Sequence, residues 1–246
     1  MSRSNARILI VDDEVDACAN LSDILTDLGY QVDVAYDGPS ALEKVKMSAY
    51  DVALLDLKMP DMDGVELYRR IKAIRSGMVA IIVTAFAGSA TAQASLDLGA
   101  VEIVAKPINF PNLLRLVEHA LQQPFVLVID DDLDLCDSLW AILREQNYRV
   151  CLAHDAIQSE KLLELGDIHV VLIDMKLPGA DGAQVYQRVH RSHPEARTIL
   201  ITGARSEMER RIEDALAHGA DAVAYKPFDV PQLLDTVKRL AQPNES

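Results

Sequence analysis

Polar side chains stand at the ends of several short apolar runs. The run 51-DVALL-55, for example, is followed directly by the carboxylate of Asp56. The other runs in the first half of the chain lead to Asp12, Asp13, Thr84 and Lys106. Parallel strands in an open sheet gather their ligands beyond their carboxyl ends. We therefore expect three carboxylates, one hydroxyl and one ammonium group to meet at a single edge of a sheet.

Three converging carboxylates repel one another, by about 4 kcal/mol for two unit charges about 4 Å apart at an effective dielectric of about 20. Such a site either holds a proton or binds a cation. Oxygen ligands without a neighbouring His or Cys favour a hard ion, Mg²⁺ first. A metal ion and a lysine beside a carboxylate suit phosphoryl transfer, in which the carboxylate attacks phosphorus and the cations neutralise the phosphoryl oxygens. The threonine hydroxyl would sense the product.

The same set of residues recurs in the second half of the chain. An offset of 118 positions takes Asp56 to Asp174, and an offset of 120 takes Lys106 to Lys226. The other matched residues of the second copy are Asp130, Asp131 and Thr202. A period of this length is typical of duplicated domains, since solenoid repeats are much shorter.

Apolar runs alternate with helical patterns in both copies, and continuous apolar runs are typical of parallel strands buried on both faces. The runs are 7–11, 31–35, 51–55, 79–83 and 101–105, then 125–129, 149–153, 169–173, 197–201 and 221–225. From Val15 to Leu28, apolar residues recur every three or four positions, and Gly29 stands where a helix C-terminal cap is expected. The pattern predicts two doubly wound α/β domains, residues 6–122 and 124–241.

Each copy resembles the receiver domain of two-component response regulators, on the five matched positions in their order along the chain. The resemblance covers nearly the whole chain. It implies a flavodoxin-like fold, with a parallel five-stranded sheet of order 2-1-3-4-5 in each copy. It also implies that Asp56 and Asp174 accept a phosphoryl group.

The resemblance further implies the roles of the surrounding residues. The implied Mg²⁺ ligands are Asp12, Asp13, Asp56 and the backbone carbonyl of Lys58, then Asp130, Asp131, Asp174 and the backbone carbonyl of Lys176. Thr84 and Thr202 would be switch hydroxyls, and Lys106 and Lys226 would contact the phosphoryl oxygens. The family usually holds the Lys–Pro peptide cis, so we expect Lys106–Pro107 and Lys226–Pro227 to be cis.

The sequence departs from the family at the usual switch aromatic. Receivers commonly place a Tyr or Phe three residues before the lysine, where this chain has Ile103 and Val223. Tyr225 shares a strand face with Val223 because their spacing is two. We expect Tyr225 to pack against its neighbours, with a displaced switch aromatic as the alternative. The departure leaves the phosphoryl chemistry intact and changes how either copy would report it.

The two copies also differ in their fourth helix. The segment 87-AGSATAQASLDLG-99 is small and nearly uncharged, whereas 206-SEMERRIEDALAHG-219 is heavily charged. Family members often dimerise or bind partners through this helix. Helix 4 of the first copy is therefore the candidate for a homodimer contact, with an Ala-rich surface helix as an equal alternative.

Composition narrows the function further. The net charge of −14 disfavours contact with nucleic acid or an anionic membrane. No apolar run approaches the roughly 20 residues of a membrane span, and 1-MSRSNARILIVDD-13 lacks a signal-peptide layout, so we expect a cytoplasmic protein. The three cysteines fit no metal-ligand spacing and are expected to be buried hydrophobes.

We predict a response regulator of two receivers without a separate output domain, which a histidine kinase or histidine phosphotransfer protein phosphorylates. It would signal by partner binding, self-association or phosphorelay, and would not be an enzyme beyond receiver-type self-phosphorylation and dephosphorylation. In the alternative, one receiver is a dimerisation or docking scaffold that is never phosphorylated. A third hypothesis is a Mg²⁺-dependent phosphohydrolase, although such enzymes end a strand in Asp-x-Asp. Dinucleotide binding is weakest, because no Gly-rich loop follows the first strand.

Overall fold

The computed structural model of the protein describes residues 6–100, 102–163, 168–177, 180–203, 213 and 215–242. The chain divides into two compact units, Met1–Gln123 and Pro124–Ser246, which we call unit 1 and unit 2. In the described part of the chain, no helix is long and apolar enough to cross a membrane.

Unit 1 is a parallel five-stranded sheet with helices between the strands. Its elements are β1 (Arg7–Val11), α1 (Val15–Asp27), β2 (Gln31–Ala35), α2 (Gly38–Met47), β3 (Val52–Leu55), α3 (Gly64–Ile74), β4 (Val79–Thr84), α4 (Ala90–Asp97), β5 (Glu102–Ala105) and α5 (Phe110–Gln122). The strand order is β2-β1-β3-β4-β5, and every pair is parallel. The predicted fold and strand order are confirmed.

Unit 2 repeats this architecture. Its elements are β6 (Phe125–Ile129), α6 (Leu133–Glu145), β7 (Arg149–Ala153), α7 (Ala156–Leu163), β8 (Val170–Asp174), β9 (Lys176–Leu177), β10 (Ala180–Asp181), α8 (Gly182–Ser192), β11 (Arg197–Thr202), β12 (Ala222–Tyr225) and α9 (Val230–Ala241). The large sheet has the order β7-β6-β8-β11-β12, and β9 and β10 form a short antiparallel pair. Most of the segment 206–219, where a charged helix was predicted, lies outside the described residues.

The apolar runs form the central strands because both faces of the sheet are covered. Every residue of β3 and β4 is buried, whereas the edge strands β2 and β5 are partly exposed. Successive side chains of a strand point to opposite faces. Accordingly Leu54 and Leu55 enter two different core clusters, one on each face of the sheet of unit 1.

The apolar face of α1 is narrower than the sequence pattern suggested. Cys18 and Leu25 are buried, whereas Val15 is 57% exposed, so the apolar pattern begins before the buried face of the helix does. Val15 is the first residue of α1, where the helix rises from the open edge of the sheet. Gly29 ends this helix as predicted, with φ of 93° and its N–H donating to the carbonyl of Thr26 at 2.8 Å.

The fourth helix of unit 1 is short, and its N-terminus is fixed by Ser89, whose hydroxyl oxygen accepts from Ala92 N–H at 3.1 Å. Ala92 and Ser95 face the interior and are fully buried. The homodimer contact expected through α4 stays a prediction.

Candidate functional site

Three carboxylates meet at the carboxyl edge of the sheet in unit 1. Oxygen atoms of Asp12, Asp13 and Asp56 all lie within 4.8 Å of one another. Asp56 is held there because its N–H donates to the carbonyl of Val11, the last residue of β1, at 2.8 Å. Asp12 and Asp56 are each 7% exposed, whereas Asp13 is open to solvent. The cluster therefore faces water on the side of Asp13.

One ammonium group bridges the buried members of this cluster. Lys106 Nζ lies 2.6 Å from Asp12 Oδ2 and 3.3 Å from Asp56 Oδ2. Burial alone would lower the pKa of Lys106, but the hydrogen bond and charge of Asp12 and the charge of Asp56 outweigh it and raise this pKa. Burial raises the pKa of Asp56, against the opposing charge of Lys106. The cluster thus has three carboxylates and one ammonium group, which contacts two of them, so negative charge is left for a cation to neutralise.

Unit 2 builds the same cluster from Asp130, Asp131 and Asp174, again with oxygen atoms within 4.8 Å of one another. Lys226 Nζ lies 2.7 Å from Asp130 Oδ2 and 2.8 Å from Asp174 Oδ2. Burial raises the pKa of Asp130 despite its hydrogen bond to Lys226. The pKa of Lys226 is also raised, because its two carboxylate partners outweigh its burial. The structure therefore assembles both predicted sets of acidic residues.

The lysine of unit 1 has a further carboxylate beside it. Lys106 also bonds to Glu14 Oε1 at 3.3 Å, and Glu14 precedes α1 without capping it through its side chain. The matching Asp132 instead caps α6 by accepting from Leu135 N–H at 3.0 Å. Sequence reasoning missed Glu14, although a Glu where helix caps favour Asp, Asn, Ser or Thr was an available signal.

The two threonines lie at the same edges as the aspartates. Thr84 ends β4 and Thr202 ends β11, and both are buried. In unit 1 the pairing of Leu55 with Ile82 brings the ends of β3 and β4 together. The hydroxyl oxygen of Thr84 accepts a hydrogen bond from Phe86 N–H at 3.2 Å.

The loop after each phosphoacceptor candidate packs closely against the strand end. The N–H groups of Lys58 and Lys176 donate to Oδ1 of Asp56 and Asp174 at 3.4 and 2.9 Å. The following helix then begins at a glycine, and in unit 1 Gly64 N–H donates to the carbonyl of Leu57 at 3.0 Å. The carbonyl oxygens of Lys58 and Lys176 stay predicted ligands.

Replacing Gly64 by alanine is expected to destabilise unit 1 by about 1–3 kcal/mol, the usual range for an overpacked site. A Cβ at this position would lie 2.3 Å from the carbonyl oxygen of Asp56, and backbone there cannot yield without moving the carboxylate. Urea unfolding measures the loss. Gly88→Ala is the control, since nothing lies within 4 Å of its Cβ position. Equal effects of the two substitutions would contradict the close approach.

The Lys106–Pro107 and Lys226–Pro227 peptides are both cis, as predicted. Ile103 packs against the core of unit 1 in place of the usual aromatic. Tyr225 is 38% exposed at the end of the edge strand β12, and its packing role stays a prediction. Side chains of an edge strand have neighbours on fewer sides than those of a central strand. The alternation of residues along a strand does not show which kind of strand it is.

The donor set fits Mg²⁺. Each cluster offers carboxylate oxygens only, one of them solvent-exposed, which suits a hard ion that keeps part of its water shell. The single lysine of each cluster leaves the carboxylates in excess. Asp12, Asp13 and Asp56 would hold the ion in unit 1, and Asp130, Asp131 and Asp174 in unit 2.

Comparison with known proteins gives a consistent result. The family model described as the response regulator receiver domain matches residues 8–118 and 126–238. A response regulator receiver protein of Anaeromyxobacter sp. (strain Fw109-5) is 30% identical over 239 residues, which cover 95% of this chain and 94% of that protein. Sporulation initiation phosphotransferase F of Bacillus subtilis (strain 168) is 37% identical over 117 residues, or 48% of this chain and 94% of its own length.

Further matches each align with about half of this chain. The transcriptional regulatory protein ZraR of Escherichia coli (strain K12) is 37% identical over 121 residues, which span 49% of this chain and 27% of that protein. Among solved structures, a CheY-like receiver domain protein from Methanospirillum hungatei JF-1 matches with a TM-score of 0.46 and 36% identity, covering 47% of this chain and 93% of that chain. Response regulator TrrA from Thermotoga maritima, in complex with Mg(2+)-BeF, matches with a TM-score of 0.42 and 32% identity, over 47% and 98% of the respective chains.

Proposed function

The chain belongs to the response regulator receiver family, and from this premise we propose that each unit accepts a phosphoryl group, unit 1 on Asp56 and unit 2 on Asp174. The observation that carries the proposal is the lysine bridge, which appears twice. In each unit one ammonium group bonds both to the candidate acceptor and to a buried aspartate that follows the neighbouring strand of the sheet. A duplicated structural ion pair would not require the third, exposed carboxylate that completes each cluster.

The proposed reaction is an in-line transfer from a phosphohistidine on a histidine kinase or a histidine phosphotransfer protein. A carboxylate oxygen of Asp56 attacks phosphorus, the P–N bond breaks, and the departing imidazole nitrogen keeps the bonding electron pair and takes up a proton. The acceptor must be ionised to attack, and Lys106 at 3.3 Å favours that form against the cost of burial. Mg²⁺, when bound, supplies positive charge to the phosphoryl oxygens.

Lys106 and Thr84 also stabilise the product. The ammonium group already lies between Asp12 and Asp56, where it is in reach of oxygens added to Asp56. The buried Thr84 hydroxyl at the neighbouring strand end can donate to another of those oxygens. In unit 2, Lys226 and Thr202 have the same tasks. Such a charge change biases a two-state element, which a partner protein or a second copy of the chain then recognises.

We infer that both units are working receivers, because neither cluster lacks a member. A scaffold unit would be free to lose its acceptor or its lysine, yet Lys226 bonds to its two carboxylates at 2.7 and 2.8 Å. The phosphohydrolase hypothesis is less well supported, since the pair Asp12-Asp13 follows β1 while the proposed nucleophile follows β3. We propose no catalysis beyond self-phosphorylation and dephosphorylation.

Incubation with Mg²⁺ and a small phosphodonor such as acetyl phosphate is expected to add two phosphates to the unaltered protein. Asp56→Asn and Asp174→Asn should each accept one, and the double variant none, because each substitution removes one nucleophile and leaves the other cluster unchanged. Intact mass spectrometry counts the phosphates. A single phosphate on the unaltered protein would make one unit a scaffold, and a phosphate on the double variant would place the acceptor elsewhere.

A further inference from the structure

Phe86 is an aromatic residue of unit 1 that is held at two points beside the proposed phosphorylation site. It lies in the loop between β4 and α4, and half of its surface is exposed. Its ring is covered by the ammonium group of Lys58, with Nζ 3.5 Å from the ring centroid. Its backbone N–H donates to Thr84 Oγ1 at 3.2 Å. The ring of Phe86 thus contacts the loop after β3, and its backbone is bonded to the last residue of β4.

The two residues that contact Phe86, Lys58 and Thr84, lie beside the proposed phosphorylation site. Lys58 follows Asp56 by two positions, and its N–H donates to Asp56 Oδ1 at 3.4 Å. Thr84 is the last residue of β4, at the edge where Asp56 lies. A change at Asp56 therefore reaches Phe86 by two routes, through the Lys58 side chain and through the Thr84 hydroxyl.

A phosphoryl group on Asp56 would compete with Phe86 for the Lys58 ammonium group and for the Thr84 hydroxyl. It brings added negative charge and oxygens that accept strong hydrogen bonds. A charge-assisted hydrogen bond is stronger than a cation–π contact at an exposed site, so the Lys58 ammonium has a better partner in the phosphoryl group than in the ring. A Thr84 side chain that rotates to donate to the phosphoryl group carries its Oγ1 away from Phe86 N–H.

We propose that Phe86 reports the state of Asp56, held by Lys58 and Thr84 before phosphorylation and released by both afterwards. This inference rests on the proposed phosphorylation of Asp56. It assigns the reporting role to the loop before α4, since Ile103 provides no aromatic ring on β5. The device belongs to unit 1 alone, because the residue at the matching position of unit 2 is Ala204, which has no ring for Lys176 to cover.

The test places a single reporter at this position with Phe86→Trp. An indole is the best cation–π partner, so the substitution keeps the contact with Lys58. Trp140 is the one natural tryptophan and is 5% exposed in unit 2, so the parent protein supplies the background signal to subtract. Acrylamide quenching of the fluorescence is measured with and without Mg²⁺ and acetyl phosphate, and intact mass gives the phosphate count of each sample.

The quenching constant of the reporter is expected to rise when Asp56 is phosphorylated, because the cation leaves one face of the ring. Asp174→Asn should keep this rise and Asp56→Asn should lose it. Lys58→Met, which keeps an unbranched side chain without the charge, should quench strongly before any phosphodonor is added. A reporter whose quenching stays constant while mass shows phosphate on Asp56 overturns the inference. Absence of phosphate from Asp56 overturns the proposed function of unit 1 and the inference with it.

Discussion

Asp13→Asn is expected to lower the Mg²⁺ affinity of unit 1 at least about tenfold, or ~1.4 kcal/mol. Asp13 contributes one of the three carboxylate oxygens that lie within 4.8 Å of one another. It is also the exposed member of the cluster, so its amide would remain solvated and the fold would be little affected. Asp12 and Asp56 are less suitable targets, because both are buried and bonded to Lys106.

Calorimetric titration with Mg²⁺ measures this effect. The unaltered protein should bind two equivalents, and Asp13→Asn should retain the single site of unit 2. Asp131→Asn is the mirror variant and should retain the site of unit 1. Asp16→Asn is the matched control, since Asp16 is an exposed carboxylate in the first turn of α1 outside the cluster. Equal losses for Asp13→Asn and Asp16→Asn would mean that surface charge, and no specific site, attracts the ion.

Asp56→Asn is expected to stabilise unit 1 in metal-free solution at neutral pH, by on the order of 1 kcal/mol, the usual size of the effect of a single substitution. Burial is the largest influence on the carboxylate of Asp56 and disfavours its charged form, as does the repulsion from Asp12. Burial and this repulsion together outweigh the charge and hydrogen bond of Lys106, and that lysine keeps its bonds to Asp12 and Glu14 when Asp56 is replaced. Urea unfolding in the presence of a chelator measures the gain.

The sign of the pH dependence follows from the raised pKa of Asp56. Burial makes the folded protein bind a proton on Asp56 more tightly than the unfolded chain does, so this group costs stability above its unfolded pKa. The cost is complete above the raised, folded pKa and shrinks to nothing as the pH falls from there to the unfolded pKa. The difference in stability between Asp56→Asn and the unaltered protein should therefore shrink on acidification. Saturating Mg²⁺ should reverse the order at neutral pH, because the ion stabilises only a unit that binds it well.

Asp61→Asn is the matched control for this comparison. Asp61 is an exposed residue of the same loop with φ of 67°, a conformation that asparagine also adopts readily. Its substitution should change stability by less than about 0.5 kcal/mol. An Asp56→Asn variant less stable than the unaltered metal-free protein would show that Lys106 more than offsets the burial of Asp56 and the repulsion from Asp12.

The sequence was sufficient to predict the sheet and the acidic clusters because both depend on short-range patterns. Buried parallel strands need continuous apolar runs, and β1, β2, β6 and β7 begin and end where those runs do. A polar residue directly after such a strand necessarily lies at the carboxyl edge of the sheet. The duplicated spacing then brought Asp174 and Lys226 to the same positions in unit 2.

The remaining features depend on contacts that no local pattern encodes. The bond from Glu14 to Lys106 joins residues 92 positions apart, and the contact of Lys58 with Phe86 joins two separate loops. The exposure of Val15 depends on where α1 leaves the sheet edge, which helical periodicity does not specify. The strands β9 and β10 have two residues each and are too short to show alternation.

The most direct test of the central claim identifies the phosphorylated residues in the unaltered protein. Acyl phosphates are reduced by borohydride, which converts a phosphoaspartate into homoserine and leaves unmodified aspartate unchanged. After treatment with Mg²⁺ and acetyl phosphate, peptide mass mapping is expected to find homoserine at positions 56 and 174 and at no other aspartate. Homoserine at Asp12, Asp13, Asp130 or Asp131, or at neither proposed acceptor, would contradict the assignment of two working receivers.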